Sequence, residues 1–566
     1  MSSIPLIYAE LQAIQGQFGY LPADELAALS SRSSIPLFRL HGVASFYPHF
    51  RLTPAPKADV RVCCDMSCHL RGSDDLRAGI ARRYQGSAPE DFSLQEVSCL
   101  GQCDGAPAMA VNGQIFRGID LASADRLIRD AFAGELLPQP TRETSRRELL
   151  SDPYQGSERY GALRSYVSSR DWPAFIAQLK ASGLRGLGGA GFPTGTKWEI
   201  VKATPSDEKF IVCNADESEP GTFKDRFILE HLPHLVVEGM ILAGLFTGAR
   251  KGILYIRHEY ELPKEIVAEG IHTCYRENIL GQNILDSGLA FDLELFTSPG
   301  GYICGEESAL LEAIEGKRAE PRNKPPFPGV HGLWQKPTVI NNVETFSNVP
   351  LILVRGVDWY KSQGQSGAAG LKFIGVSGAV KRPGVYEVAM GAPASDLIFR
   401  CAGGPPDGRE LKAFAPSGPS SGYLPGSMVD VHMDFKSLAD AGSMLGSGAL
   451  VVCDDSACML DMALNSTKFF RNESCGKCVP CRVGSQKLVD ILTNWTRGEG
   501  DASDLALIEE LAQALTLTSI CGLGQVVPVP VASVLKYFPD EVTAHYKDRR
   551  CSAGVCPVSR SSAKPS

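Results

Sequence analysis

The spacing of hydrophobic positions changes several times along the chain, and each change marks a module. From residue 1 to about 55 apolar residues recur at helical spacing: Ile7, Leu11 and Ile14, then Leu21 to Leu29, then Leu37 to Phe46, with breaks at Pro22 and Pro36. Residues 1–55 therefore read as a small helical cap. From Asp59 the pattern turns to a strand at Val60 and Val62, a helix over 74–84, a strand over 94–97, a hairpin at Asn112-Gly113 and a helix over 123–132. Residues 56–137 thus form a small α/β unit of thioredoxin type. Residues 138–160 are polar, carry Pro138, Pro140 and Pro153, and read as a linker.

Residues 161–360 show buried-strand runs at 210–212, 252–256 and 291–295, interleaved with helical runs such as 235–246 and 262–277. This predicts a larger α/β domain. Residues 361–452 are rich in Gly and Pro, with short strands at 373–376 and 384–388, and read as a β-grasp-like unit. Helical periodicity returns at 462–470, 484–495 and 505–515, predicting a helical bundle over 453–546, and 547–566 form a tail. The fold class is a multidomain α/β protein.

Composition narrows the function. A chain of 566 residues, 44% hydrophobic, fills several cores, and its net charge of -8 is spread over intermixed acids and bases, which argues against a nucleic-acid partner or a polybasic membrane patch. The N-terminal MSSIPLIYAEL lacks the charged and apolar regions of a signal peptide, and the apolar run near 235–247 is broken by Glu238 and too short to span a bilayer. The expectation is a cytoplasmic protein without a membrane span. Seventeen cysteines in such a chain point to metal or redox cofactors rather than disulfides.

The densest chemistry lies in GLRGLGGAGFPTGTKW, Gly183 to Trp198, and NADESEPGTFKDR, Asn214 to Arg226. Clustered glycines clear side chains from one surface, so backbone N–H groups can approach a flat or phosphorylated ligand. A Walker loop is excluded because Thr196 separates Gly195 from Lys197. Gly186, Gly188 and Gly191 spell GxGxxG, but they follow a helix-like segment (172–180) instead of a strand, and Pro193 is expected to interrupt the helix that a dinucleotide fingerprint needs. The second stretch follows an apolar run and offers carboxylates and an amide, which suit ribityl hydroxyls and a ring edge better than bare phosphate.

Two groups of cysteines have metal-ligand spacing. Cys63-x4-Cys68 and Cys99-x3-Cys103 suit zinc as well as an iron–sulfur cluster, with Cys64-x3-Cys68 as an alternative pairing; Cys64 is taken as a non-ligand. Cys475-x2-Cys478-x2-Cys481 with Cys521 forty residues on matches a 4Fe-4S cluster, because zinc more often takes two separated pairs. Cys213, Cys274, Cys304 and Cys401 read as buried small hydrophobes. Cys453-x4-Cys458 and Cys551-x4-Cys556 are two further spaced pairs, and a third metal site built from them is the disfavoured reading.

The two glycine and carboxylate stretches, together with GGYICGEESALLEAIEGKRAEPRNKPPFP (Gly300 to Pro328) and INNVETF (Ile340 to Phe346), resemble the FMN- and NADH-binding subunit of respiratory complex I and of NAD-linked hydrogenases and formate dehydrogenases. GVASFYPHF and CLGQCDGAPAM resemble that family's thioredoxin-like 2Fe-2S partner. The resemblance implies an FMN site made by Gly186, Gly188, Lys197, Asn214, Asp216, Glu217, Tyr302, Gly305, Glu306, Asn341 and Asn342. It implies NADH contacts at Phe192, Glu219, Glu307 and Phe327, although Phe327 could simply pack and Glu306 and Glu307 could serve a helix N-terminus. It gives Cys63, Cys68, Cys99 and Cys103 to a 2Fe-2S cluster and Cys475, Cys478, Cys481 and Cys521 to a 4Fe-4S cluster. Leu187, Ala215 and Ser218 depart from residues frequent in the family.

The implied activity is an NAD(H)-dependent oxidoreductase subunit that needs no proton-transfer residue, since hydride passes directly between cofactors. Nothing in the chain oxidises the other substrate. Fusion of the 2Fe-2S and flavin modules, four intact N-terminal cysteines and the run from Gly422 to Val452 resemble most the β subunit of an NAD-dependent formate dehydrogenase with a molybdenum- or tungsten-containing α subunit. A hydrogenase diaphorase and a complex I-like module are the alternatives within the class, and a non-enzymatic zinc and nucleotide scaffold is the alternative outside it.

Overall fold

The computed structural model describes residues 7–138 and 148–560. Residues 139–147 of the expected linker, the first six residues and the last six of the expected tail lie outside the described residues.

The N-terminal cap is three helices, Ile7–Phe18, Ala23–Ser33 and Leu37–Ala44, and Pro22 and Pro36 stand immediately before the second and third. A proline there loses no intrahelical hydrogen bond. The buried positions Tyr8, Leu11 and Ile14 face the central domain: the Tyr8 ring lies 5.9 Å from Phe296, and His49 Nδ1 lies 2.6 Å from the Pro299 carbonyl.

The thioredoxin-like unit has strands β1 (Ala58–Cys63), β2 (Phe92–Val97), β3 (Ala108–Val111) and β4 (Gln114–Arg117) in the order β2-β1-β3-β4. Parallel pairing sets Cys63 opposite Val97, so residues following β2 reach the end of β1. Asn112 and Gly113 turn the β3–β4 hairpin with φ of 50° and 85°. Helices Ser73–Arg83 and Leu121–Ala133 appear as expected, and a short helix at Met66–Leu70 is added.

The central domain carries β5 (Phe210–Ala215), β6 (Lys251–Arg257), β7 (Gly281–Ile284), β8 (Leu289–Ser298) and β9 (Thr338–Asn342), ordered β7-β8-β6-β5-β9. All pairs but the β7–β8 edge are parallel. The chain moves from β5 outward through β6 to β8, then returns to place β9 on the other side of β5. That reversal is a topological switch point, where open parallel sheets bind ligands at the carboxyl ends of their strands.

The third sheet holds β10 (Leu371–Gly378), β11 (Gly384–Ala389), β12 (Leu411–Pro419), β13 (Leu424–Pro425) and β14 (Ala449–Asp454), ordered β11-β10-β14-β12-β13. One apolar core runs from Leu149 to Val452 and so joins the second and third sheets. Between them lies a fully buried charge group: Lys224 contacts Asp225 at 2.6 Å and Glu344 at 3.1 Å, and Lys372 meets Glu344 at 2.5 Å. Two cations against two carboxylates leave no net buried charge.

C-terminal helices Met459–Asn472, Val479–Thr496 and Asp504–Thr518 are followed by Gly522–Val526, Val529–Tyr537 and Pro539–Tyr546. No single helix among the described residues is long and apolar enough to cross a membrane. Helix Pro233–Thr247 is buried in the core, with Glu238 accepting from Tyr154 Oη and Leu163 N at 2.9 Å each.

Candidate functional site

The glycine stretch is a closed loop in front of a helix. Gly186 N donates to Phe192 O at 2.9 Å, Thr194 N to Leu184 O at 3.0 Å, and helix Thr194–Ala203 follows directly. Pro193 therefore precedes this helix; it does not interrupt it, as the sequence had suggested. A proline fits there because the first N–H groups of a helix have no intrahelical acceptor. A side chain at Gly188 would lie 2.6 Å from Asn342 Cβ, which is why the loop can lie flat against the end of β9.

The expected flavin contacts gather at the switch point. In the β5–β9 register Cys213 faces Asn341 and Asn214 faces Asn342. Asn214 Nδ2 donates to Gly305 O at 2.7 Å, Trp198 Nε1 donates to Asn341 Oδ1 at 2.9 Å, and Lys197 Nζ donates to Ile340 O at 2.9 Å. Lys197 keeps two more donors, and burial lowers its pKa while Glu307 opposes that. Asp216 accepts from Ser218 and Ser298 hydroxyls, and burial pushes its carboxyl up to about 6. Glycines, amides, a cation and a carboxylate at one strand edge are a donor and acceptor set that fits a phosphorylated, hydroxylated flavin.

Several of the expected contacts also brace the protein itself. Glu217 accepts from Asp225 N at 2.8 Å, Arg226 N at 3.1 Å and Tyr260 Oη at 2.9 Å, so its carboxylate caps the following helix on the thioredoxin side. Glu306 is the N-cap of helix Glu307–Ile314, accepting from Ser308 N and Ala309 N at 2.9 Å each, and Lys324 neutralises it at 2.8 Å. The helix-terminal reading holds for Glu306. Asn342 also caps a helix, Val343–Arg355, while its amide donates to Asp225 at 2.6 Å. Glu219 accepts from Ser420 N at 2.9 Å, and Glu307 pairs with Lys324 at 2.9 Å. Phe192 and Phe327 are 47% and 58% exposed, so Phe327 does not pack into the protein and both rings are open to a planar ligand.

The N-terminal thiols converge. Cys63, Cys68, Cys99 and Cys103 are all buried, with Cys99 and Cys103 Sγ 3.4 Å apart. Cys63 lies within sulfur hydrogen-bonding reach of Cys68 and Cys99, whereas Cys64 Sγ turns to the Val97 carbonyl at 3.5 Å. Gly221 N, from the flavin stretch, donates to Cys103 Sγ at 3.3 Å. Arg257 Nη2 donates to Cys99 O at 2.8 Å, and Arg226 Nη1 to Gly101 O at 2.7 Å. The N–H groups of Gly101 and Gly221 on Cys99 and Cys103 Sγ act in favour of the thiolate that metal ligation needs, while the two arginines fix the loop that carries these sulfurs.

At the other end, Cys475, Cys478, Cys481 and Cys521 sit on the turn after Met459–Asn472 and at the starts of helices Val479–Thr496 and Gly522–Val526. Burial raises Cys481 to about 12 and Cys521 to about 11, values that describe free thiols and that a bound metal would reverse. Lys477 Nζ donates to Pro321 O at 2.7 Å, which docks this turn on the flavin domain. Glu473, which sequence reasoning missed, accepts from Tyr302 N at 2.7 Å and bonds Ser98, next to Cys99. It ties both thiol groups to the flavin loop, yet in sequence it is one surface-type acid at a helix end. A cavity of about 1570 Å³ runs past Cys99, His258, Tyr302 and Cys475; among the expected flavin contacts it touches only Tyr302.

Of the cysteines outside these groups, Cys213, Cys274 and Cys304 are buried, but Cys401 is partly exposed. Cys453 lies within β14, and Cys458 does not pair with it: Cys458 meets Cys551, Cys556 and His545, a residue the sequence had not singled out.

Four family models match the chain: thioredoxin-like [2Fe-2S] ferredoxin over 5–131, Nuo51 FMN-binding domain over 179–351, SLBB domain over 373–423, and the NADH-ubiquinone oxidoreductase-F iron-sulfur binding region over 461–545. The chain is 44% identical over 410 residues to NADP-reducing hydrogenase subunit HndC of Solidesulfovibrio fructosivorans, covering 72% of this chain and 83% of that one. It is 40% identical over 401 residues to the F subunit of NADH-quinone oxidoreductase of Escherichia coli, covering 70% and 89%. A crystal structure of NAD+-reducing [NiFe]-hydrogenase superposes with a TM-score of 0.85 at 32% identity, covering 96% of this chain and 93% of that one. The chain therefore belongs to the family of FMN- and NADH-binding iron–sulfur subunits that includes the F subunit of NADH-quinone oxidoreductase, and its cofactors are FMN, a 2Fe-2S cluster and a 4Fe-4S cluster.

Proposed function

We propose that this chain is the NAD(H)-converting β subunit of a formate dehydrogenase whose α subunit carries molybdenum or tungsten. The observation that carries this reading is the N-terminal thiol quartet: all four cysteines are present, buried and gathered beside the flavin domain, which supports a complete relay module fused to the diaphorase. Seventeen cysteines with this chemistry suit a reducing compartment, in keeping with a cytoplasmic enzyme. The flavin supplies the conversion between a two-electron hydride and single electrons.

The protein's own part is binding and positioning. Lys197, Asn214, Asp216, Tyr302 and Asn341 hold the flavin at the ends of β5 and β9, over a floor made by Gly186, Gly188 and Gly305. Phe192 and Phe327 offer faces for the adenine, and Glu219 and Glu307 line the nicotinamide side. Asn342, Glu217 and Glu306 brace this frame through the bonds described above. Cys63, Cys68, Cys99 and Cys103 hold the 2Fe-2S cluster, and Cys475, Cys478, Cys481 and Cys521 the 4Fe-4S cluster.

A second reading, a hydrogenase diaphorase, draws support from the near full-length superposition on the NAD+-reducing [NiFe]-hydrogenase chain. Purification of the native complex with metal analysis separates them. Molybdenum or tungsten in a large partner with formate-dependent NAD+ reduction is the expected result; nickel with hydrogen-dependent reduction would overturn the formate assignment and leave the diaphorase intact.

A further inference from the structure

We propose that Cys458, His545, Cys551 and Cys556 bind one zinc ion in a closed tetrahedral site that fixes the C-terminal segment to the helix leading into the 4Fe-4S turn. All four residues are buried, and their ligand atoms lie within 4.8 Å of one another. Cys458 Sγ is 3.6 Å from His545 Nε2, His545 Nε2 is 3.4 Å from Cys556 Sγ, and Cys556 Sγ is 3.6 Å from Cys458 Sγ. A tetrahedron with zinc–sulfur bonds of about 2.3 Å and a zinc–nitrogen bond of about 2.0–2.1 Å has edges of roughly 3.5–3.8 Å. The three separations among Cys458, His545 and Cys556 lie within about 0.2 Å of those edges, and Cys551 supplies the fourth corner inside the same 4.8 Å group.

Other occupants fit less well. A cubane spreads its four thiolates over four iron atoms, and neither cluster quartet forms so tight a group; this is the one such group among the described residues. A disulfide between any two of these sulfurs would leave a buried thiol and a buried imidazole with no shared purpose. His545 is already set for ligation: its Nδ1 lies 2.7 Å from the Glu541 carbonyl, which makes Nδ1 the protonated nitrogen and turns the lone pair of Nε2 toward the three sulfurs. Three thiolates and one neutral imidazole fill all four positions, so no site remains for water or substrate. That is the pattern of a structural zinc site.

The placement gives the ion its role. Cys458 is the N-cap of helix Met459–Asn472, and Met459 N donates to Glu541 Oε2 at 3.0 Å. Farther along the same helix, Asp461 Oδ2 lies 2.7 Å from His69 Nε2, and Asn465 bonds Cys64 O at 2.7 Å and Met66 N at 2.8 Å. The helix ends at Asn472 and leads directly into Glu473 and Cys475. The ion anchors the start of a rod that touches the 2Fe-2S loop midway and carries the 4Fe-4S turn at its end.

The test uses the holoprotein, purified without added zinc. Metal analysis is expected to give one zinc per chain beyond the cluster iron, and zinc-edge X-ray absorption an S3N shell at about 2.3 and 2.0–2.1 Å. Cys556→Ser and His545→Ala should lose the zinc while keeping FMN, acid-labile sulfide and cluster iron. Should either variant fail to fold, the wild-type protein still decides: titration with a mercurial in the presence of a chromogenic zinc chelator should release one zinc as the site's thiolates react. Absence of zinc, an extra mononuclear iron in its place, a Cys551–Cys556 disulfide in the purified protein, or zinc retained in both variants would overturn the proposal.

Discussion

The two ends of helix Met459–Asn472 each gather cysteines, and they do so differently. At its C-terminal end Cys475, Cys478 and Cys481 come from one turn and Cys521 from a later helix start, and these sulfurs do not form a group within 4.8 Å. At its N-terminal end Cys458, His545, Cys551 and Cys556 come from stretches nearly a hundred residues apart, yet their ligand atoms crowd around one point. Ligand spacing in space, not cysteine count, decides whether a site holds a multinuclear carrier or a single ion. The first end transfers electrons; the second holds the frame still.

The strongest way to break this contrast is to remove one ligand from each end. Cys481→Ser is expected to abolish NADH-driven reduction of the partner subunit, with zinc still bound and NADH oxidation by artificial dyes retained. Cys556→Ser is expected to do the reverse: zinc is lost, cluster spectra persist, and stability falls by about 4 kcal/mol or more, loss of a bound metal being among the causes of the largest single-substitution effects. Thermal unfolding with parallel metal analysis checks both. A Cys556→Ser protein without 4Fe-4S signals would join the two ends into one site.

Asn465→Ala probes the middle of the rod. It leaves the Cys64 carbonyl and Met66 N–H without their partner, at a cost of about 1–3 kcal/mol. The expected result is a perturbed 2Fe-2S spectrum with zinc and the 4Fe-4S signal unchanged, read by EPR of the reduced protein.

A control away from the rod has the smallest expected effect on the metals. Burial holds Glu238 up at about 7 from the ordinary 4.5, so its neutral form contributes stability that is complete below pH 4.5 and is lost as pH rises through 7. Glu238→Gln should flatten that part of the stability profile and leave every metal in place. A slope unchanged in the variant would show that the carboxyl titrates normally.

Long periodic elements were legible in the sequence: the cap helices, β5, β6 and β8, and the first three C-terminal helices all lie within a few residues of their expected positions. What escaped had physical reasons. Strand β9 spans five residues behind Pro337, too short for a period to show, so Asn341 and Asn342 were reached only through resemblance. No local pattern tells that Glu217 and Glu306 cap helices, because a carboxylate beside a glycine floor looks the same whether it faces a cofactor, caps a helix or does both. His545 sits on the buried face of helix Pro539–Tyr546, where its spacing passes for core; the cue was its position six residues before Cys551-x4-Cys556. Lys224 and Lys372 are fully buried, which no local pattern announces, since their partner Glu344 is over a hundred residues from Lys224.

The central claim is that this chain passes electrons from NADH through the flavin site into both clusters. Its most direct test is anaerobic addition of NADH to the purified protein with EPR at low temperature. Distinct 2Fe-2S and 4Fe-4S signals that rise together with NADH oxidation are the predicted result; NADH oxidation with both clusters left oxidised, or no NADH oxidation in a protein full of flavin and iron, would contradict it.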